Sequence, residues 1–303
     1  MTTDAAPIDP LAPARSGIYR DGVVEVRSAG RFRARLDHRS IRTGHFDVHP
    51  EGSTIRVEHS LDRDEVDDDL AGLLATELFG PGWLRGADLF ERIFTGIVLT
   101  STDSSDPLAG WELFYRNTLR RLADPSHATA PGRAHGSLAG YAPVHAHAET
   151  LLAPGSVLEL GCCFGFFSLR LAAAGREILA TDVNPGTVGL LAAVAPRLGV
   201  DVRTLVADAA HVPLGPRSAD TVVALHLLEH LAPDHGDRVV VEALRLARHR
   251  LVVAVPLEEE ADETWGHVRT VSLADLERCG VLTGRPFDVH EHHGGWLVVD
   301  VGA

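Results

Sequence analysis

The stretch Val157-Leu-Glu-Leu-Gly161-Cys-Cys-Phe-Gly165-Phe-Phe-Ser168 decides how this chain is read. Val157–Leu160 has the length and apolarity of a buried strand, and a helix is expected from residue 166. A glycine-containing turn between them lets a ligand approach the backbone at the strand's carboxyl end, where the next helix also presents its N-terminus. The dinucleotide fingerprint requires glycines at 161, 163 and 166; this chain has Cys163 and Phe166 and fails that test. Its own pattern is an acid, Glu159, one spacer, Gly161, three spacers and Gly165.

Outward from this turn, strands and helices alternate, the signature of a mostly parallel sheet covered on both faces. Strands are predicted at Val157–Leu160, Glu177–Thr181, Val202–Val206, Thr221–Leu225 and Leu251–Val255, with helices near 166–174, 186–198, 234–248 and 272–279. PFDVHEHHGGWLVVDV places Gly294-Gly295 between two strand-like runs and predicts an antiparallel hairpin. The second strand ends at Thr181-Asp182, 21 positions after Gly161 and close to the usual offset of a ribose-binding acid in such folds. The third ends at Val206-Ala207-Asp208-Ala209, and the fourth leads into His226-Leu-Leu-Glu229-His230-Leu.

Taken together, these segments resemble the class I S-adenosylmethionine-dependent methyltransferases. The resemblance implies a Rossmann-like α/β sheet, mostly parallel with an antiparallel terminal hairpin, and S-adenosyl-L-methionine as cofactor. It also implies roles: Glu159, Gly161, Cys163 and Gly165 shape the methionine end, with Cys163 where the family usually has glycine. Asp182 would accept the ribose hydroxyls, Asp208 and Ala209 would meet the adenine, and His226 would border the cofactor. Within the class, the chain resembles the mycofactocin oligosaccharide methyltransferases in HRSIRTGHFDV (38–48), GWELFYRNTL (110–119), VLELGCCFGFFSL (157–169) and GHVRTV (266–271). The implied function is O-methyl transfer to a hydroxyl of a small glycosylated metabolite, the mycofactocin oligosaccharide. Methylation of a phenolic or carboxylate metabolite fits the same early motifs. A non-catalytic scaffold is opposed by the intact Glu159, Gly161, Gly165, Asp182 and Asp208.

An aliphatic hydroxyl is a poor nucleophile while it keeps its proton, so a base should stand beside the acceptor. Histidine suits that role because its unperturbed pKa, about 6.5, leaves it mostly neutral near pH 7–8. His230, past the fourth strand, and His267, in Gly266-His-Val-Arg269, are the candidates. His230 is favoured, with Glu229 supporting it and Arg269 positioning a substrate oxygen. No residue is assigned as a metal ligand. His145-x-His147 would sit on a helix and point apart, and His292-His293 reads as exposed. His226 and His230 with Glu229 lack the HExxH order, and only Glu229, His230 and Asp234 form a serious cation candidate, by likeness to quinone-pathway O-methyltransferases.

The remaining chain reads as a disordered N-terminus at 1–16, an α+β accessory domain at 17–124 and a Pro-, Ala-, Gly- and Ser-rich linker at 125–137, leaving 138–303 for the sheet. Strands are expected at 31–36 and 54–58, and helices at 64–78, 87–100 and 107–123, with the acidic run Asp64–Asp69 as a solvated, dipole-matched face. Across 303 residues the formal charge is −14, which disfavours nucleic acid as a partner. All 28 basic residues are arginine, which rules out Schiff-base and P-loop lysine chemistry and fits a GC-rich bacterial source. Three cysteines cannot build a disulfide framework, and neither a signal peptide nor a membrane-spanning run is visible. The expectation is a cytoplasmic protein with a small-molecule or oligosaccharide partner, no membrane partner, and homo-oligomerisation left open.

Overall fold

Among the described residues, five strands form the sheet of the first part of the chain: β1 (Ile18–Arg20), β2 (Val24–Ser28), β3 (Ile41–Arg42), β4 (Phe46–Glu51) and β5 (Thr54–His59). The computed structural model describes residues 7–29, 37–124, 137–262 and 266–302, and it divides into two units, Met1–Ala139 and Gly140–Ala303. The strand expected at 31–36 and linker residues 125–136 lie outside the described residues. The order is β1-β2-β5-β4-β3, with β2 and β5 parallel and the other pairs antiparallel. Residues 7–16, expected to be disordered, are instead held: Trp111 Nε1 donates to the Pro10 carbonyl at 2.6 Å, and Ala14 is buried.

Helices α2 (Ala87–Thr100) and α3 (Pro107–Ala123) form over the expected spans, and Asp106 caps α3 by accepting the Leu108 N–H at 3.0 Å. The single helix expected over 64–78 is broken. A 3-10 turn covers Arg63–Glu65, α1 covers Asp69–Leu74, and a π-helical turn covers Ala75–Phe79. Side chains of α3 cause the break by taking the backbone groups a continuous helix would use. Asn117 donates to the Arg63 and Val66 carbonyls at 2.7 and 3.0 Å, and Thr118 Oγ1 accepts the Asp68 N–H at 3.1 Å. The acidic run is therefore not a solvated face throughout: Asp67 and Asp68 are buried, and Arg121 pairs with Asp67 and Asp69.

The second unit carries β6 (Val157–Leu160), β7 (Ile178–Asp182), β8 (Arg203–Val206), β9 (Ala219–Leu225), β10 (Ala247–Val255), β11 (Phe287–Glu291) and β12 (Gly295–Asp300). Its helices are α4 (Ser137–Leu151), α5 (Phe166–Ala173), α6 (Pro185–Val194), α7 (Pro233–Leu246) and α8 (Leu273–Thr283). The sheet order is β11-β12-β10-β9-β6-β7-β8. β8, β7, β6, β9 and β10 run parallel, and β12 lies antiparallel between β10 and β11. All four residues of β6 are buried, as a strand with a layer on each face must be. The strand order reverses between β6 and β9, and in open α/β sheets ligands bind in the crevice at such a switch, outside the strands' carboxyl ends. Among the described residues no helix is long and apolar enough to cross a membrane.

Candidate functional site

The turn after β6 holds three consecutive odd-numbered residues in the left-handed region, Gly161 (φ 69°), Cys163 (φ 48°) and Gly165 (φ 74°). Leucine side chains also crowd both glycines. A Cβ on Gly161 would meet Leu227 at 2.7 Å, and one on Gly165 would meet Leu191 at 2.5 Å. Cys163 adopts the conformation a glycine would have and donates its N–H to Asp182 Oδ2 at 2.9 Å. Cys162 is buried, with its thiol pKa pushed up by burial, whereas Cys163 is exposed.

Asp182, at the end of β7, accepts the Cys163 N–H on Oδ2 and the Asn184 N–H on Oδ1, each at 2.9 Å. Each carboxylate oxygen keeps a second lone pair for a ligand hydroxyl. The adjoining Val183 is 71% exposed, an apolar side chain standing open beside an acid. Glu159 lies behind the turn and not on its open side. It is buried, accepts the Ser168 hydroxyl, and its pKa is pushed up to about 7, chiefly by burial. Asp208 is half exposed; it accepts the Ala210 N–H and the His235 Nε2–H at 2.9 Å each, which hold its pKa below the usual carboxylate range. It thus serves a turn while leaving its second oxygen open, with Ala209 partly buried against the core beside it.

Past β9 the environment changes from backbone turns to buried titratable groups. His226 is left-handed (φ 52°), its N–H donates to the Ala254 carbonyl at 2.9 Å, and burial lowers its pKa to about 4. Its ring lies 5.3 Å from that of Tyr141, which in turn lies 5.9 Å from His145 on α4. Glu229, in a 3-10 turn over Leu228–His230, has a side chain only 1% exposed, and neither carboxylate oxygen has a hydrogen-bond partner. Burial pushes its pKa up to about 8, and the nearest imidazole nitrogen, His226 Nδ1, is 3.8 Å from Oε1. His230 donates Nδ1–H to the Gly266 carbonyl at 3.2 Å, and His267 donates Nδ1–H to Glu258 at 2.8 Å. Ligand atoms of Glu229, His230 and His267 all lie within 4.8 Å of one another. Asp234, at the start of α7, is not part of that group. Arg269 donates Nε–H to the Leu228 carbonyl at 3.1 Å, which ties its loop to the 3-10 turn.

Residues 157–250 match the family model described as a methyltransferase domain. This stretch of the C-terminal unit is therefore similar in sequence to S-adenosylmethionine-dependent methyltransferases. Two curated relatives, both described as probable S-adenosylmethionine-dependent methyltransferases of Mycobacterium tuberculosis strains, are 28% identical over 163 residues. The aligned region covers 47% of this chain and 57% of theirs, so the chain spans little more than half the length of these relatives. Among solved structures, a SAM-dependent methyltransferase from Aquifex aeolicus aligns at 19% identity, covering 59% of this chain and 99% of that one, with a TM-score of 0.46. The magnesium protoporphyrin IX methyltransferase of Synechocystis PCC 6803 aligns at 18% identity, covering 61% and 93%, with a TM-score of 0.45.

Sequence reading singled out the acids and glycines of this region but not three residues that the structure places beside them. Val183 had a usable signal, an apolar residue directly after a strand-terminal acid. Glu258 sits in the run Glu258-Glu259-Glu260, where no spacing singles it out. Tyr141 belongs to a helix whose contact with His226 is purely tertiary.

Proposed function

We propose that the chain is an S-adenosylmethionine-dependent O-methyltransferase whose acceptor is a hydroxyl of a small glycosylated metabolite, with the mycofactocin oligosaccharide as the named candidate. The observation that carries this reading is the unpartnered Glu229 carboxylate beside two imidazoles, beyond the end of β9 and past a strand–turn–helix of the cofactor-binding kind. A buried polar group without a partner is costly, and a ligand with hydroxyl or cationic groups would remove that cost.

The residues present fit the cofactor. Asp182 would hold the ribose hydroxyls, Val183 and Ala209 would flank the adenine with Asp208 at its edge, and the turn from Gly161 through Cys163 to Gly165 would carry the methionine end. Glu159 supports that turn from behind, and His226 would close the site under the fourth strand. Bound there, the sulfonium cofactor supplies a methyl group already activated for in-line displacement. The chain's remaining task is to orient the acceptor oxygen and receive its proton.

In the protein without further ligands, His230 is the group best suited to take that proton. Its Nδ1–H is committed to Gly266, so Nε2 keeps its lone pair, and burial holds the ring's pKa below the ordinary value and the ring neutral. Glu229 supports it, His267 stands 4.9 Å away ring to ring, and Arg269 positions the substrate from the loop it anchors. The test is calorimetry with S-adenosylmethionine, followed by mass spectrometry of glycosylated extract incubated with a labelled-methyl cofactor. Binding with label on a sugar hydroxyl is expected; label on a phenol or carboxylate instead would overturn the acceptor assignment, and absent binding would overturn the cofactor.

A further inference from the structure

His230 and His267 are held in the same way. Each commits Nδ1–H to a fixed acceptor, the Gly266 carbonyl for one and the Glu258 carboxylate for the other. A neutral imidazole so held keeps its lone pair at Nε2. The two rings stand nearly perpendicular, at 84°, so they do not stack face to face. The third member, Glu229, brings a carboxylate that is 1% exposed with both oxygens unpartnered. A buried carboxylate without hydrogen-bond donors is strongly disfavoured, and the charge of Arg269 offsets this for Glu229 only in part. Histidines that bind metal ions almost always give their other ring N–H to a carboxylate or a backbone carbonyl, and here both partners are of those kinds.

We propose that Glu229, His230 and His267 form a divalent transition-metal site in the methyltransferase domain. Two imidazole nitrogens and one carboxylate suit Zn²⁺ or a neighbouring first-row ion, whereas Mg²⁺ and Ca²⁺ favour all-oxygen sets. Three protein ligands with His230 exposed leave a coordination position open on the solvent side. This deepens the methyl-transfer reading and rests on it: a cation at that position polarises and orients an acceptor hydroxyl. It would also commit the His230 lone pair, so in the loaded protein the imidazole is a ligand; the ion would acidify the hydroxyl, and its proton would pass to water at the open solvent side as the O–CH3 bond forms and the sulfonium S–CH3 bond breaks.

A second histidine group serves as an internal control. His147 and His290 already share a hydrogen bond between their Nε2 atoms at 2.8 Å, and His147 stacks on His292 at 4.2 Å. Full-length protein stripped with chelator is titrated with Co²⁺ in the absence of cofactor. One equivalent should bind with visible d–d absorption. His267→Ala and Glu229→Gln should each weaken binding at least tenfold, and His290→Ala should leave it unchanged. Circular dichroism and thermal melts check that each variant folds, with His267→Gln as the substitute if alanine does not. No stoichiometric Co²⁺ binding, binding undiminished in His267→Ala and Glu229→Gln, or loss confined to His290→Ala overturns the site. Calorimetry of the stripped protein with S-adenosylmethionine separates the two readings. Cofactor binding without Co²⁺ binding removes the cation alone, and Co²⁺ binding without cofactor binding removes the methyl-transfer reading alone. Full turnover in stripped protein with chelator present would also overturn the cation's part in activation.

Discussion

Glu159 is buried with the Ser168 hydroxyl as its side-chain donor, and its carboxyl titrates at about 7 against an ordinary 4.5. A raised folded pKa means the folded chain binds the proton more tightly than the unfolded one. Its contribution to stability is therefore complete below about pH 4.5 and is lost as pH rises toward 7. That difference corresponds to about 3 kcal/mol at most. Glu159→Gln should accordingly gain up to about 3 kcal/mol over the parent between pH 4.5 and pH 8, read from urea unfolding at both values. Equal pH dependence in parent and variant would refute the buried-acid account. At Asp182 the expected change is in binding: Asp182→Ala should weaken S-adenosylmethionine by about 1.5–3 kcal/mol in calorimetry. Circular dichroism and thermal melts of Asp182→Ala control for collapse of the turn, whose two backbone donors meet separate oxygens of Asp182. For His230, replacement by alanine should cost about 10²–10⁴ in turnover while cofactor affinity stays near the parent value. Unchanged turnover in both His230→Ala and His267→Ala would remove the imidazole pair from the chemistry.

The strand–turn–helix formed by β6, residues 161–165 and α5 depends on a backbone that alanine resists. Gly165 is both left-handed and in contact range of Leu191, so Gly165→Ala should destabilise the domain by about 1–3 kcal/mol, measured by chemical unfolding. A neutral result would mean that α6 shifts to make room. Elements of this kind were legible because their signals are local: β6 is a short apolar run broken only by Glu159, and the helix α3 emerged over 107–123 as its apolar spacing required. The break at 66–68 was illegible because its cause, Asn117 and Thr118 reaching across from α3, lies some fifty residues away. The site divides the same way. Asp182 follows from its offset to Gly161, whereas the convergence of His267 with Glu229 depends on a loop path that no periodicity records.

At the scale of the whole molecule, the net charge of −14 carried without a single lysine predicts no retardation of DNA or RNA in a gel at physiological salt. A salt-sensitive shift at micromolar protein would argue for a nucleic-acid acceptor. The N-terminal unit has its own acid sensitivity. His59 is buried with Nε2 3.1 Å from Thr100 Oγ1, and burial lowers its pKa to about 4. The folded unit then binds that proton less readily than the unfolded chain, so stability is lost as pH falls from about 6.5 toward 4, by about 3 kcal/mol. His59→Gln should flatten that acid limb in pH-dependent unfolding; an unaltered limb would assign the loss to other groups. The second unit's sheet has a different consequence, set by the order in which a ribosome delivers it. β12 comes last in sequence yet lies one strand in from the edge, between β10 and β11. Until residues 295–300 emerge, the apolar β10 run Leu251–Val255 has β9 on one side and an unpaired edge on the other. Nascent chains stalled before that point should therefore be the species most prone to aggregate and most in need of chaperones.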